Sequence, residues 1–285
     1  MWIGAGKNSS SLEVYVDDIW QASFGAKSPG FKHVHLPLSI ANTPSRNIRL
    51  KQGSGDAINL FSAFLTSESP GVWLAALGVP GAEIDILSTL DDRLVASEMV
   101  VFEPDLIILG FGSNEAFDDK LNKDAYRKRL EKTVDWLKSH AKAADIVILG
   151  VPDAARLPAF APKTATPKSC MPLTPDEVLN YDARLQAQDS ALARWHAPPN
   201  LAIVRGVQAQ VAAQKGFFYV DLGAVMGGDC AMQVWVTDNP PKAWPDHVHF
   251  KPPGQALLAQ KIFAELMAGY DSDQCKNGGK PADSH

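Results

Sequence analysis

From Pro70-Gly71 onward the chain alternates short apolar runs with longer stretches of helical period, and few architectures accept that alternation. Val72 to Leu77, Asp105 to Gly110, Asp145 to Gly150 and Phe217 to Asp221 have the length and near-continuous apolar character of strands buried on both faces. Ala82 to about Ser97 reads as a helix with Ile84, Leu87 and Leu94 on one side. Lys123 to about Ala141 reads as another, with Tyr126, Leu130, Val134 and Leu137 at helical spacing and Asn122 as its N-cap. Pro158 to Pro175 is a Pro-rich loop, and the segment up to Trp195 holds a helix with Val178, Leu185 and Leu192 inward. Ala202 to Lys215 is a helix stopped by Gly216, and Pro253 to Ala268 is the last helix, ended by Gly269. The pattern predicts an α/β fold, a doubly wound parallel sheet covered on both faces.

Residues 1–69 follow a period of two instead. Leu12, Val14 and Val16 alternate with Glu13 and Tyr15, and Asp17-Asp18 supplies a turn. His33 to Leu38, Ile48 to Leu50 and Ile58 to Phe64 repeat the alternation between Gly, Ser, Pro and Asn clusters. Short strands joined by turns predict a β-sandwich or jelly roll. The expected organisation is a β-domain over 1–69, an α/β domain over 70–270 and a disordered polar tail over 271–285. The strand pattern begins almost at once, with no capping element before it, so the natural beginning of the protein is expected further upstream.

With 285 residues and 46% hydrophobic content, the chain can bury a full-sized core. A net charge of −5 leaves no basic excess to neutralise phosphates, which argues against nucleic acid as a partner. No apolar run reaches the roughly 18 residues a membrane-spanning helix needs. Met1-Trp2-Ile3-Gly4 has neither the basic start nor the apolar core of a signal peptide. Cys170, Cys230 and Cys275 lack zinc-site spacing. Three free thiols, or a Cys170–Cys230 disulfide with Cys275 unpaired, both remain open at this point.

Sites in doubly wound sheets gather beyond the carboxyl ends of the strands. Three motifs fall there: Gly78-Val79-Pro80-Gly81, Gly112-Ser113-Asn114-Glu115 and Asp246-His247-Val248-His249. An Asp three residues before a His, on a turn made rigid by Pro245 and Pro252-Pro253-Gly254, can orient and charge-stabilise an imidazole base. Taken alone, such a pair is more often a capped turn with a packed histidine; the companion motifs shift the balance. The Asn114 amide and the Gly81 N–H can serve as donors to an oxyanion, although each residue also suits an ordinary turn. Glu115, Asp118 and Asp119 are expected to cap and charge the following helix. A metal reading of Asp246, His247 and His249, or of His33 and His35, lacks further ligands at metal spacing. The sequence has no Gly-Asp-Ser. Ser54 reads as a hairpin turn, and Ser113 lacks a nucleophile elbow.

Ordered blocks resemble a known family. "ALGVPGAEID" (76–85), "IILGFGSNEAFD" (107–118), "MGGDCAM" (226–232) and "DHVHFKPPG" (246–254) resemble blocks of the SGNH, or GDSL-like, hydrolases, and within them the bacterial peptidoglycan O-acetylesterases. The resemblance covers Val72 to about Tyr270, with Glu115 where many SGNH enzymes have Asp. It implies Asp246 and His249 as triad members and Asn114 and Gly81 as oxyanion-hole donors, with no metal or organic cofactor. It implies that residues 1–69 are the rear of an inserted carbohydrate-binding-module-like sandwich. The nucleophile block, with the first strand of the sheet, would then precede Met1. The implied activity is a serine-type carbohydrate O-acetylesterase acting on O-acetylated peptidoglycan in the periplasm or cell envelope. The chain as given would be inactive without its serine. Alternatives are an esterase or acetyltransferase for another acetylated glycan, or a non-catalytic glycan-binding protein. Oligomeric state is not legible.

Overall fold

Leu12, Val14 and Val16 point inward and are buried, while Glu13 and Tyr15 between them are partly exposed, as the alternation predicts. They lie on β2 (Ser10–Val16) in a computed structural model of the chain, which describes residues 2–5, 10–26, 30–33, 47–55, 58–62, 70–161 and 169–276. The chain divides into two compact units, Met1–Leu77 with Asp92–Glu98, and Gly78–Asp91 with Met99–His285.

The first unit holds two antiparallel three-stranded sheets. One places β1 (Trp2–Ala5) between β4 (Gly30–His33) and β6 (Ile58–Ser62). The other places β2 between β3 (Ile19–Ala26) and β5 (Ile48–Gln52). Asp17 and Asp18 both take positive φ and form the tight β2–β3 turn. Leu12 packs with Phe24 and Leu50 of its own sheet and with Ile58 of the other. Most of the expected strand from His33 to Leu38 lies outside the described residues.

The second unit is built on a parallel sheet of β7 (Leu106–Leu109), β8 (Asp145–Gly150) and β9 (Phe218–Asp221), in that order. Its helices are α1 (Asp92–Phe102, which begins in the first unit), α2 (Ser113–Ala116), α3 (Lys123–His140), α4 (Pro175–Leu179) and α5 (Tyr181–Gln186). They continue with α6 (Pro199–Lys215), α7 (Leu222–Met226), α8 (Ala231–Thr237) and α9 (Pro252–Lys276). Leu109, Ile146 and Ile148 pack on one face with Tyr126, Leu130 and Val134 of α3 and Val204, Val207 and Val211 of α6. Val147 and Val220 pack on the other with α7, α8 and Leu258 of α9. The sheet is therefore covered on both sides at β8, as its continuous apolar sequence requires. At β7, the outer strand, Leu106 and Ile108 are exposed.

Several expected elements differ. Val72 to Leu77 forms no regular element and pairs with no strand among the described residues, and Val72, Leu74 and Leu77 are exposed. The single helix expected from Ala82 is a 3-10 turn (Ile84–Thr89), a break at Leu90 and then α1. The helix expected before Trp195 is two short helices and a 3-10 turn, with Leu192 buried but Val178 exposed. Gly269 does not end the last helix, which runs on to Lys276 and so includes Cys275 and the first residues of the expected tail. A Cβ at 269 would lie 2.7 Å from the Phe218 ring, so this glycine permits packing; one helical glycine costs only about 1 kcal/mol.

Gly112 is where β7 hands over to the site. It has φ 113°, and a Cβ there would lie 2.6 Å from both Gln208 Nε2 and Val151 Cγ2 and 2.9 Å from Val204 Cγ1. Gly112→Ala combines left-handed strain, about 1–2 kcal/mol, with overpacking, about 1–3 kcal/mol. Denaturant unfolding should show a loss of about 2–5 kcal/mol; a loss below about 1 kcal/mol would mean that the loop gives way easily.

Candidate active site

Asp246 and His249 meet as their spacing predicts. Asp246 Oδ2 accepts from His249 Nδ1 at 2.9 Å, while Oδ1 accepts from the backbone N–H groups of Val248 (2.9 Å) and His249 (3.0 Å). Burial alone would raise the Asp246 carboxyl, but the two N–H groups and the His249 ring outweigh it and hold it below the usual carboxylate range. The couple is local, made within one turn, and its ring is largely open to solvent. With Nδ1 donating to Asp246, a neutral His249 carries its lone pair on Nε2, the arrangement a general base needs.

The turn is closed by the segment on either side. Trp244 N–H donates to the His249 carbonyl at 2.8 Å, Ala243 bridges Phe250, and Lys251 N–H donates to the Lys242 carbonyl at 2.8 Å. Gly254 lies so close to the Lys242 carbonyl that a Cβ would collide with it.

Asn114 reaches the residue that follows Gly81. Asn114 Nδ2 donates one proton to the Ala82 carbonyl at 2.8 Å, leaving the second amide proton for another acceptor. Gly81 has φ 76° and open space at its Cβ position, in a turn closed by Ala82 N–H on the Val79 carbonyl. Glu115 does not cap the next helix as expected. It is completely buried, its Oε1 accepts from Ile84 N–H at 2.9 Å, and burial pushes its carboxyl up. Asp118 accepts from Lys120 N–H and Asp119 pairs with Arg156, which leaves Asn122 as the cap of α3.

A chain of contacts runs from the Asn114 loop to the Asp246 turn. Arg156 donates to the Phe117 carbonyl at 2.8 Å, and its neighbour Ala155 donates through N–H to the His247 carbonyl at 3.0 Å. Gln208 ties the exits of β7 and β8, accepting from Val151 N–H at 3.0 Å and donating to the Phe111 carbonyl at 2.7 Å. Periodicity could have flagged it: Gln208 sits on the buried face of α6, among Val204, Val207 and Val211. His247 is buried, with one ring nitrogen on the Pro245 carbonyl and the other on the Gln233 amide. Both nitrogens are thus engaged within the protein, so the three-ligand metal reading of this segment does not hold.

The sequence profile of the GDSL-like lipase/acylhydrolase family matches residues 21–262. The chain belongs to this family, that of the SGNH hydrolases. Among solved structures, a peptidoglycan O-acetylesterase aligns at 20% identity with a TM-score of 0.59, over 94% of this chain and 67% of that one. This likeness is one of fold. A lipase/acylhydrolase from Enterococcus faecalis aligns at 19% identity and TM-score 0.38, over 65% of this chain and 71% of its own. An acetyl xylan esterase aligns at 12% identity and TM-score 0.41, over 66% and 77%. Curated protein sequences yield no match.

Within this GDSL-like hydrolase, Ser113 is the first residue of α2, and among the described residues His249 bonds through its ring to Asp246 and not to this serine. Cys170 and Cys230, left open by the sequence, are joined in a disulfide. Glu177, not singled out in the sequence, braces the segment leading to Trp195. It accepts from Arg194 at 2.9 and 3.0 Å and from Thr174 N–H at 2.7 Å. Arg194 outweighs the effect of burial and holds the Glu177 carboxyl down at about 2, against 4.5 for a free side chain. Its stabilising contribution is complete above pH 4.5 and is lost as pH falls through about 2. The melting temperature should fall across that window, and Glu177→Gln should flatten the fall. A Glu177→Gln profile parallel to the parent's would mean that other carboxylates carry the acid sensitivity.

Proposed function

We propose that the protein is a serine-type carbohydrate O-acetylesterase acting on O-acetylated peptidoglycan, with a nucleophilic serine contributed from outside these 285 residues. The observation that carries the reading is the Asp246–His249 couple, a carboxylate bonded to the Nδ1 side of an open imidazole. In this reading the serine attacks the acetyl carbonyl and His249 Nε2 takes its proton. Asp246 stabilises the imidazolium, while the free proton of the Asn114 amide and the Gly81 N–H hold the oxyanion. The imidazolium gives the proton to the departing sugar oxygen, which leaves as a hydroxyl, and water then releases acetate from the serine by the same route.

Several observations support it. β7 is the outer strand of its sheet among the described residues, and its edge can take a further strand of the kind that would bring a nucleophile to the site. Trp244, half exposed and two residues from Asp246, offers a flat apolar surface for a sugar ring. The disulfide fits an oxidising compartment such as the periplasm. The two antiparallel sheets of the first unit suit a jelly-roll, carbohydrate-binding-module-like domain that would hold the glycan.

Acetate release from O-acetylated peptidoglycan should exceed that from acetylated xylan when the serine-bearing protein is assayed on both. Preference for xylan would move the reading to another glycan ester. The 285-residue chain alone should hydrolyse p-nitrophenyl acetate no faster than its His249→Ala variant; His249-dependent turnover there would place the nucleophile inside the chain.

A further inference from the structure

We propose that His247 is a positioning residue, whose ring holds the turn that brings Asp246 onto Nδ1 of His249; this rests on the reading of His249 as the base. His247 lies between the two partners with φ 59°, in the left-handed region. That turn lets one Asp246 oxygen collect the N–H groups of Val248 and His249 while the other reaches the His249 ring. Glycine or asparagine adopts this backbone more readily than histidine, so the backbone by itself does not call for an imidazole.

The imidazole is accounted for by what surrounds it. It is buried and stacks on Trp195 with ring centroids 3.7 Å apart and planes 21° apart. Its Nδ1 lies 2.9 Å from the Pro245 carbonyl and its Nε2 lies 2.9 Å from the amide oxygen, Oε1, of Gln233 on α8. Burial holds the ring below the usual histidine range, which favours its neutral form. A neutral ring that donates from Nδ1 accepts at Nε2, which requires the Gln233 amide to turn its NH2 group toward it. The backbone adds two more ties, His247 N–H on the Trp244 carbonyl at 3.1 Å and the His247 carbonyl receiving Ala155 N–H at 3.0 Å. The side chain thus joins α8 and the Trp195 segment to the turn, and the backbone of the same residue joins it to the exit of β8. A histidine buried only for packing would need none of these bonds to line up with the Asp246–His249 geometry.

The test reads the His249 tautomer by long-range proton–nitrogen NMR on the histidine-labelled 285-residue chain, at a pH where the rings are neutral. His249→Asn assigns its signals. In the parent chain His249 should be protonated mainly on Nδ1, toward Asp246. His247→Gly keeps the left-handed backbone but removes the ring, and should shift His249 to the Nε2-protonated form that a free imidazole prefers. Gln233→Ala removes one bond from a half-buried position and should shift it the same way by a smaller amount. His247→Asn, which suits the backbone and can still reach Pro245, should restore part of the parent state. Melting curves and amide spectra establish that each variant is folded. Folded His247→Gly and Gln233→Ala chains with a parental tautomer would overturn the proposal; if His247→Gly does not fold, Gln233→Ala decides. The readout does not depend on catalysis. A tautomer shift alongside ester turnover that ignores His249 would retain the positioning role and remove the hydrolase reading.

Discussion

His249→Ala, made in the protein with its serine present, should lower kcat by about four powers of ten and leave KM nearly unchanged. The size follows from what the substitution removes. His249 is proposed to take a proton as the nucleophile attacks and to give it to the leaving sugar oxygen. Both transfers belong to the transition state and not to the bound ester, so the loss falls on kcat. The proposed Asn114 and Gly81 donors remain, which leaves some rate above that in water. Asp246→Asn should approach the same loss, because an amide NH2 facing Nδ1 would favour the tautomer with its proton on Nε2, where the lone pair is needed. Initial rates on p-nitrophenyl acetate and on O-acetylated peptidoglycan would measure both. An His249→Ala variant within about tenfold of the parent would remove His249 from the mechanism, whatever its geometry with Asp246.

The Asp246–His249 pair was readable because it is local. The base follows the acid by three positions, two of the Asp246 bonds go to the backbone just ahead, and the flanking prolines are visible in the chain itself. The same locality made β2, α3, β8 and the Gly216 stop of α6 legible, since each is set by its own period, cap or turn. The supports of the site were not legible. Asn114 reaches Ala82, Glu115 reaches Ile84, Gln208 reaches Phe111, and Trp195 stacks on His247. Each joins residues tens of positions apart, and no periodicity encodes such a pairing. Glu115 shows the consequence: its place near a helix start suggested a solvent-facing charge, yet the fold folds it under the Gly81 loop. Val72 to Leu77 failed for the complementary reason. It has the composition of a buried strand, but composition forms a strand only where a neighbouring strand accepts its hydrogen bonds.

Replacing Cys170 and Cys230 together by serine should lower the unfolding free energy by about 4 kcal/mol, from the chain entropy that a cross-link removes from the unfolded state. The bond spans a sequence separation of 60. For a domain whose net stability is on the order of 5–15 kcal/mol, the loss would be large. The two cysteines also sit where the loss would be felt at the site. Cys170 bridges Trp195, whose ring lies against His247, and the next residue, Met171, donates through N–H to the Trp195 carbonyl at 3.0 Å. Cys230 is the N-cap of α8, the helix that presents Gln233 to His247. The disulfide therefore links the two outer supports of the Asp246–His249 turn. Without it they are joined through non-covalent contacts that individually contribute about 1 kcal/mol. Guanidinium unfolding of the double variant, beside the parent with and without reductant, measures the effect. The reduced parent should match the variant, and the ester turnover of the serine-bearing protein should become heat-labile in both. A double variant as stable as the oxidised parent would show that the unfolded chain gains little freedom when the cross-link is absent.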